Sequence, residues 1–321
     1  MVVYSSTTPT NMATFAADLF SFANTNGWTI DDDATATPGA LNNGTTYIQM
    51  DWNTISVAIY QSLGWLTPTN IGAEADDSGS GGFNDGVDRG LHVPVGSTGP
   101  YTSAHFFTDD NTTPTYIYAV LEYAPGLFRH MAFGEITKVG NWTGGSFAFG
   151  SYWNPSATTT DNPKSPNHTI PFEGLSTSSA GQHGTLHMEG FPDQTASGKW
   201  GVVWGGTAAG TDTAAVGRDN VYGGMRNGPL MNAFGWVASN PVNGFINLVP
   251  LPLFYRNTVS SKVTLLGFAP DIRYVNMKNL TPNTDYTVGS ETWRVFPMAR
   301  KQFLKNDTEE SWNAGIAYRK V

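Results

Sequence analysis

A helical protein stays in water by lining the outer faces of its helices with Glu and Lys, and this chain has too few charges for that. Only 13% of its residues are charged, against a usual share of about 25%. Glycine supplies 36 of the 321 residues, and Thr, Ser and Asn dominate the polar remainder. Those residue types suit twisted strands joined by turns. The expected fold is therefore mainly β: antiparallel sheets, sandwich-like or barrel-like, with one N-terminal amphipathic helix and long Gly-rich loops.

The helix is legible from spacing. Met12, Phe15, Leu19 and Phe22 recur at intervals of three and four, with Thr10 or Asn11 as N-cap and Gly27 as the stop. Trp28 is placed to fold back over the helix end. After it the period changes to alternation. Strands are expected at 45–52 and 56–60, and at 105–107 and 115–123 around the turn Asp109, Asp110, Asn111. Further strands are expected over 128–139, 169–172, 186–188, 199–204 and 246–254. The last third predicts strands at 263–268, 272–277, 285–288, 292–297 and 316–319, with a turn at 281–284. Residues 75–90 read as a surface loop, and 155–167, with three prolines, as a long connection. The organisation expected is 1–154 as helix plus β domain, 155–257 as a loop-rich β region, and 258–321 as a C-terminal β segment packing on the first.

A net charge of −9 offers no basic surface for phosphate backbones, so nucleic acid is not an expected partner. The chain has no cysteine, which removes disulfides, thiolate metal sites and a cysteine nucleophile. The opening stretch lacks the basic and apolar regions of a signal peptide, and no stretch reaches the apolar length of a membrane span. Synthesis in a cytosol, with no membrane partner, is expected.

Chemistry-bearing patterns are weak. His183 and His187 stand at i, i+4 with Glu189 beyond, but such a pair converges on a metal only on a helix, and Gly181, Gly184 and Gly190 argue for loop or strand. Asp76, Asp77, Asp85 and Asp88 carry calcium-type oxygens without the glycine and bidentate glutamate of an EF-hand. Glu122, Glu135, Glu173 and Glu189 are the carboxylates a glycosidase would use, and the sequence alone does not place any two of them at the separation such an enzyme needs. No nucleophile elbow and no phosphate loop is present. The expectation is a non-enzymatic chain with no cofactor and no resident metal.

The most distinctive stretch is 141–154, NWTGGSFAFGSYWN, where rings alternate with glycine and serine. Its Trp142, Phe147, Phe149, Tyr152 and Trp153 are candidate contacts between subunits, since interface centres are rich in aromatics and poor in charge. Filling the chain's own core is the competing role for such residues, and a sugar-stacking platform is another.

The helix closing on Gly27 and Trp28, the YIQMDW and ISVAIYQSLGW strands with the DDSGSGG loop, FGEITKVGNWTGGSFAFGSYWN, and the segments DIRYVNMKNL, ETWRVFP and AGIAYRKV together resemble a group of tailed-bacteriophage virion structural proteins. The similarity spans most of the chain and is weakest over 174–240. It implies a structural component of the virion, in the tail or baseplate, built in the host cytoplasm as a symmetric oligomer with other virion proteins as partners. A neck or collar position at the head-tail junction is the alternative within that class. A carbohydrate-binding or hydrolysing module at the host surface is the alternative outside it.

Overall fold

A computed structural model describes residues 2–32, 39–62, 90–94, 96–111, 113, 115–150, 184–189, 200–204, 219–223, 246–256, 263–298, 301, 303–304 and 311–321. In chain order the elements are β1 (Val2–Thr7), α1 (Met12–Thr25), β2 (Thr29–Asp32), β3 (Gly39–Asn42), β4 (Tyr47–Trp52), β5 (Ser56–Ser62), β6 (Gly90–His92), β7 (Ser103–Asp109), β8 (Tyr116–Ala124), β9 (Leu127–Glu135) and β10 (Thr137–Lys138). They continue with β11 (Thr143–Gly150), β12 (Gly184–Glu189), β13 (Trp200–Trp204), β14 (Asp219–Gly223), β15 (Val249–Arg256), β16 (Val263–Asn276), β17 (Thr284–Val288), β18 (Glu291–Pro297), β19 (Phe303–Leu304), β20 (Ser311–Trp312) and β21 (Ala314–Arg319).

Helix α1 forms where its ends are chemically closed. Thr14 N donates to Asn11 Oδ1 at 2.9 Å, and Asn11 N donates to Thr14 Oγ1 at 2.9 Å, a reciprocal cap. At the other end Gly27 takes φ 91°, Gly27 N donates to Asn24 O, and Trp28 N donates to Ala23 O. This is the Schellman pattern, which turns the Trp28 ring back into the core, edge-on to Phe133 at 5.2 Å. Asn11→Ala is expected to lower stability by about 1 kcal/mol, read as a drop in the urea midpoint at unchanged slope. No shift in the midpoint would mean that the helix start is held by packing alone.

The mainly antiparallel β architecture holds. A 14-stranded sheet follows the order β1-β7-β8-β9-β11-β12-β13-β14-β15-β16-β21-β18-β17, with β10 pairing β16. Its described pairs are antiparallel except β13 with β14. A second sheet runs β2-β3-β4-β5-β6. Among the described residues β1 pairs only with β7 and β17 only with β18, so the large sheet does not close into a barrel.

Burial explains the layering. Strand β8 is buried at every residue but its last, which a strand with one face in water cannot be. Its Tyr116, Tyr118 and Val120 point into a core shared with β16, β18 and β21. Ile117, Ala119 and Leu121 point the other way, into a core shared with α1 and the five-stranded sheet. Strands β7, β9 and β11 divide their side chains in the same manner. They form a middle layer between a helix-and-sheet layer and a C-terminal layer. The outer side of the C-terminal layer holds a third cluster around Met277, Leu280 and Trp293.

One expected break is absent. The strands anticipated at 263–268 and 272–277 are a single strand, β16. Asp271 interrupts its regular geometry with φ 48° without ending it. The Asp271 carboxylate is anchored by Tyr116 Oη at 2.9 Å and Arg319 Nη1 at 3.1 Å, and Asp is among the residues that tolerate this conformation. The C-terminal strand β21 is an inner strand of the sheet. It lies between β16 and β18, paired to both.

Candidate functional site

The middle and C-terminal layers meet along a seam of polar groups set in rings. Alternation along β7 puts Ser103, His105 and Phe107 on one face, and along β9 it puts Phe128, His130 and Ala132 on the corresponding face. Register then aligns the histidines: His105 opposes Val120 on β8, and Val120 opposes His130 on β9. Both rings are buried, and both lie against Phe296 of β18, with centroids 5.0 Å and 6.5 Å away. His130 also stacks on Tyr318 at 6.0 Å and an interplanar angle of 15°.

The hydrogen bonds around each ring have a fixed direction. The Glu122 carboxylate accepts from Ser103 Oγ at 3.0 Å, from Gly126 N at 2.8 Å and from Asn283 Nδ2 at 3.4 Å. With its only hydrogen committed to Glu122, Ser103 Oγ accepts from His105 Nε2 at 3.0 Å. Neutral His105 therefore carries its proton on Nε2, and bare Nδ1 accepts from Tyr4 Oη at 2.9 Å. Tyr4 Oη in turn accepts from Arg294 Nη1. At His130 the partner of Nε2 is Pro297 O, at 2.9 Å. A carbonyl only accepts, so this ring is also the Nε2–H tautomer, and its Nδ1 accepts from Tyr318 Oη at 2.8 Å.

Electrostatics keep both rings neutral. Burial pushes His105 down to about 4, helped by the positive charges of Arg294 and Lys320 and opposed by Asp285. Burial likewise takes His130 to about 4, with Arg129 adding to the effect and the bond to Pro297 O opposing it. Burial holds the Tyr318 hydroxyl protonated far above the usual range. At the rim, Arg294 grips Asp285 through Nε at 2.5 Å and Nη2 at 3.0 Å, and Lys320 Nζ donates to the same carboxylate at 2.7 Å. Burial alone would raise the Asp285 carboxyl, but these bonds outweigh it and hold it below its ordinary value.

Chemically, the seam is a set of directed bonds joining Arg294 to Glu122 through Tyr4, His105 and Ser103. His105 presents an N–H to Ser103 and does not serve as its base. Sequence reasoning singled out Glu122 and missed Tyr4, His105, His130, Phe296 and Tyr318. The available signal was a histidine between apolar strand residues, beside Phe107 on its own face in SAHFF and between Phe128 and Ala132 in FRHMAF.

The other candidates separate. Phe147 and Phe149 are buried within the chain's own core, rings stacked at 4.8 Å. Trp142 is half-buried beside exposed Val139, its Nε1 donating to Val139 O at 3.2 Å and Leu266 O at 3.3 Å, with Lys138 Nζ 5.5 Å from the ring centroid. Tyr152 and Trp153 lie outside the described residues, as do Asp76, Asp77, Asp85, Asp88, Glu173 and His183. His187 bonds Glu189 at 3.0 Å within β12. Glu135 accepts from Thr45 Oγ1. Among the described residues no three His, Asp or Glu side chains converge as a metal site, and no helix is long and apolar enough to cross a membrane. Compared with models of known protein families and with curated proteins, the chain matches none.

Proposed function

We propose that this chain is a non-enzymatic building block of a tailed-phage virion, placed in the tail or baseplate and assembled in the host cytoplasm as a symmetric oligomer. The observation that carries the reading is the use made of the buried and half-buried ionisable groups. Glu122, His105, Tyr4 and Arg294 join β8, β7, β1 and β18 in one set of bonds, and Tyr116, Asp271 and Arg319 join β8, β16 and β21 in another. Groups so committed stiffen a body that must hold its shape among neighbours. The sequence resemblance to virion structural proteins points the same way. Trp142, on the turn between β10 and β11, is the proposed contact with a neighbouring subunit.

The test is to label the chain in intact particles and image them, with light scattering on the purified chain beside it. Label at the tail end and a mass that is a whole multiple of 34.6 kDa are expected. Label at the head-tail junction moves the assignment to the neck. Absence from purified particles, or turnover of a polysaccharide by the chain, overturns it.

A further inference from the structure

We propose that His105 and His130 form a paired acid latch, in which protonation of both rings expels the hydroxyls of Tyr4 and Tyr318 and opens the seam between the middle and C-terminal layers. The latch follows from the tautomers, whatever the chain assembles with. Each neutral ring donates from Nε2 and accepts a tyrosine O–H on Nδ1. The only place for a proton arriving from solvent is Nδ1, the atom that holds the tyrosine. An N–H and an O–H then face each other, and the phenol can stay only by turning its hydrogen aside and accepting from a charged, buried ring, which takes the Nδ1 acceptor away from that hydrogen.

The surroundings of each ring favour release over accommodation. Facing His105 are Tyr4 from β1, Ser103 on its own strand, Glu122 from β8, Asp285 from β17, Arg294 and the Phe296 ring from β18, and Lys320 just beyond β21. Of the two carboxylates, Asp285 already binds Arg294 and Lys320, and Glu122 lies on the far side of Ser103. Tyr4 Oη is also held by Arg294 and lies under two cations, with Arg294 Cζ 4.9 Å and Lys320 Nζ 4.5 Å from its ring centroid. Facing His130 are Tyr318 from β21 and the Pro297 carbonyl and Phe296 ring from β18, and the charge of the adjacent Arg129 repels a protonated ring.

The two rings are coupled. They occupy one row across β7, β8 and β9 with Val120 between them, and Phe296 touches both. A charge at one end wets the ring that keeps the other dry. The core on the opposite face of the middle layer is built on Phe15, Leu19, Phe106 and Met131, and its contacts do not pass through the seam. Strand structure is therefore retained when the seam opens. The depression of both histidines to about 4 places the event in mildly acidic solution.

The experiment is an acid titration of the full chain, followed by near-ultraviolet circular dichroism and by nitrogen-15 spectra of the imidazoles. At pH about 7 both rings should show a bare Nδ1 and a protonated Nε2. The near-ultraviolet signal should collapse in one step below pH about 5 while the far-ultraviolet signal persists. The double variant H105Q/H130Q should move that midpoint down by about one pH unit or more, since glutamine takes no proton there. An Nδ1–H tautomer in either ring at neutral pH, a near-ultraviolet signal kept to pH about 3, or an unchanged midpoint in the variant overturns the latch. If the double variant does not fold, the wild-type imidazole spectra and acid midpoint decide the matter alone.

Discussion

Gly134→Ala is expected to destabilise the protein by roughly 2 to 6 kcal/mol, the sum of backbone strain and overpacking at a site that cannot relax. Gly134 has φ 137°, and a Cβ added there would lie 2.3 Å from Thr115 O and 2.4 Å from Tyr116 Cα. Both atoms belong to backbone. Neither can swing aside as a side chain would. Gly134 pairs with Tyr116 on one edge of β9 and with Phe147 on the other, so any shift moves three strands of the middle layer together. Tyr116 also carries the bond to Asp271 that ties this layer to β16. The control is Gly126→Ala in the β8–β9 turn, where φ is 76° but a Cβ would meet nothing within 4 Å. That change should cost only about 1 kcal/mol of conformational strain. Guanidinium unfolding of the two variants separates the effects. Equal losses would mean that close approach of β8 and β9 is not what requires the glycine.

The sequence made the local elements visible and left the long-range pairings hidden. Helix α1, its cap at Asn11 and its stop at Gly27 are written in adjacent residues, and so are the turn joining β7 to β8 and the turn at Pro282 and Asn283 that leads into β17. The partner of β1 is β7, about a hundred residues on, and β21 slots between β16 and β18. No local signal specifies such choices, because they are decided by which faces need covering. The pattern in YIYAVLEYA, apolar on both faces, did carry one non-local fact, that this strand lies inside. The stretch 141–154 shows the same limit for function. Alternation correctly groups Phe147 with Phe149 on one face, but a face does not announce its cover, and here the chain supplies it. The histidines were harder still, since a buried imidazole acquires meaning only from the tyrosines and the carbonyl that reach it from distant strands.

Phe296→Ala is expected to act on stability and on its pH dependence at once. The ring is fully buried, with centroids 5.0 Å from His105, 5.6 Å from Phe128, 5.9 Å from Tyr318, 6.4 Å from Phe107 and 6.5 Å from His130. Its removal at neutral pH should cost about 3 to 5 kcal/mol, the usual penalty for emptying a large aromatic site in a core. The wild-type histidines add a separate dependence. Each has a folded value of about 4 against 6.5 when exposed, so the unfolded chain binds more protons between those limits and stability falls as pH falls through them. A shift of that size is worth on the order of 3 kcal/mol per ring, present in full above the unfolded value and lost by the time pH reaches the folded one. In the variant the space beside two imidazoles is polar enough to hold water. Desolvation, the main cause of both depressions, then weakens, and both rings titrate closer to 6.5. The variant should therefore be far weaker than the parent at pH about 7, with the gap narrowing steadily toward pH about 5 as the parent loses stability that the variant, whose rings titrate near the same value folded and unfolded, does not lose. Unfolding free energies at three pH values across that window measure the gap. A constant difference would show that Phe296 fills the seam without keeping its histidines dry.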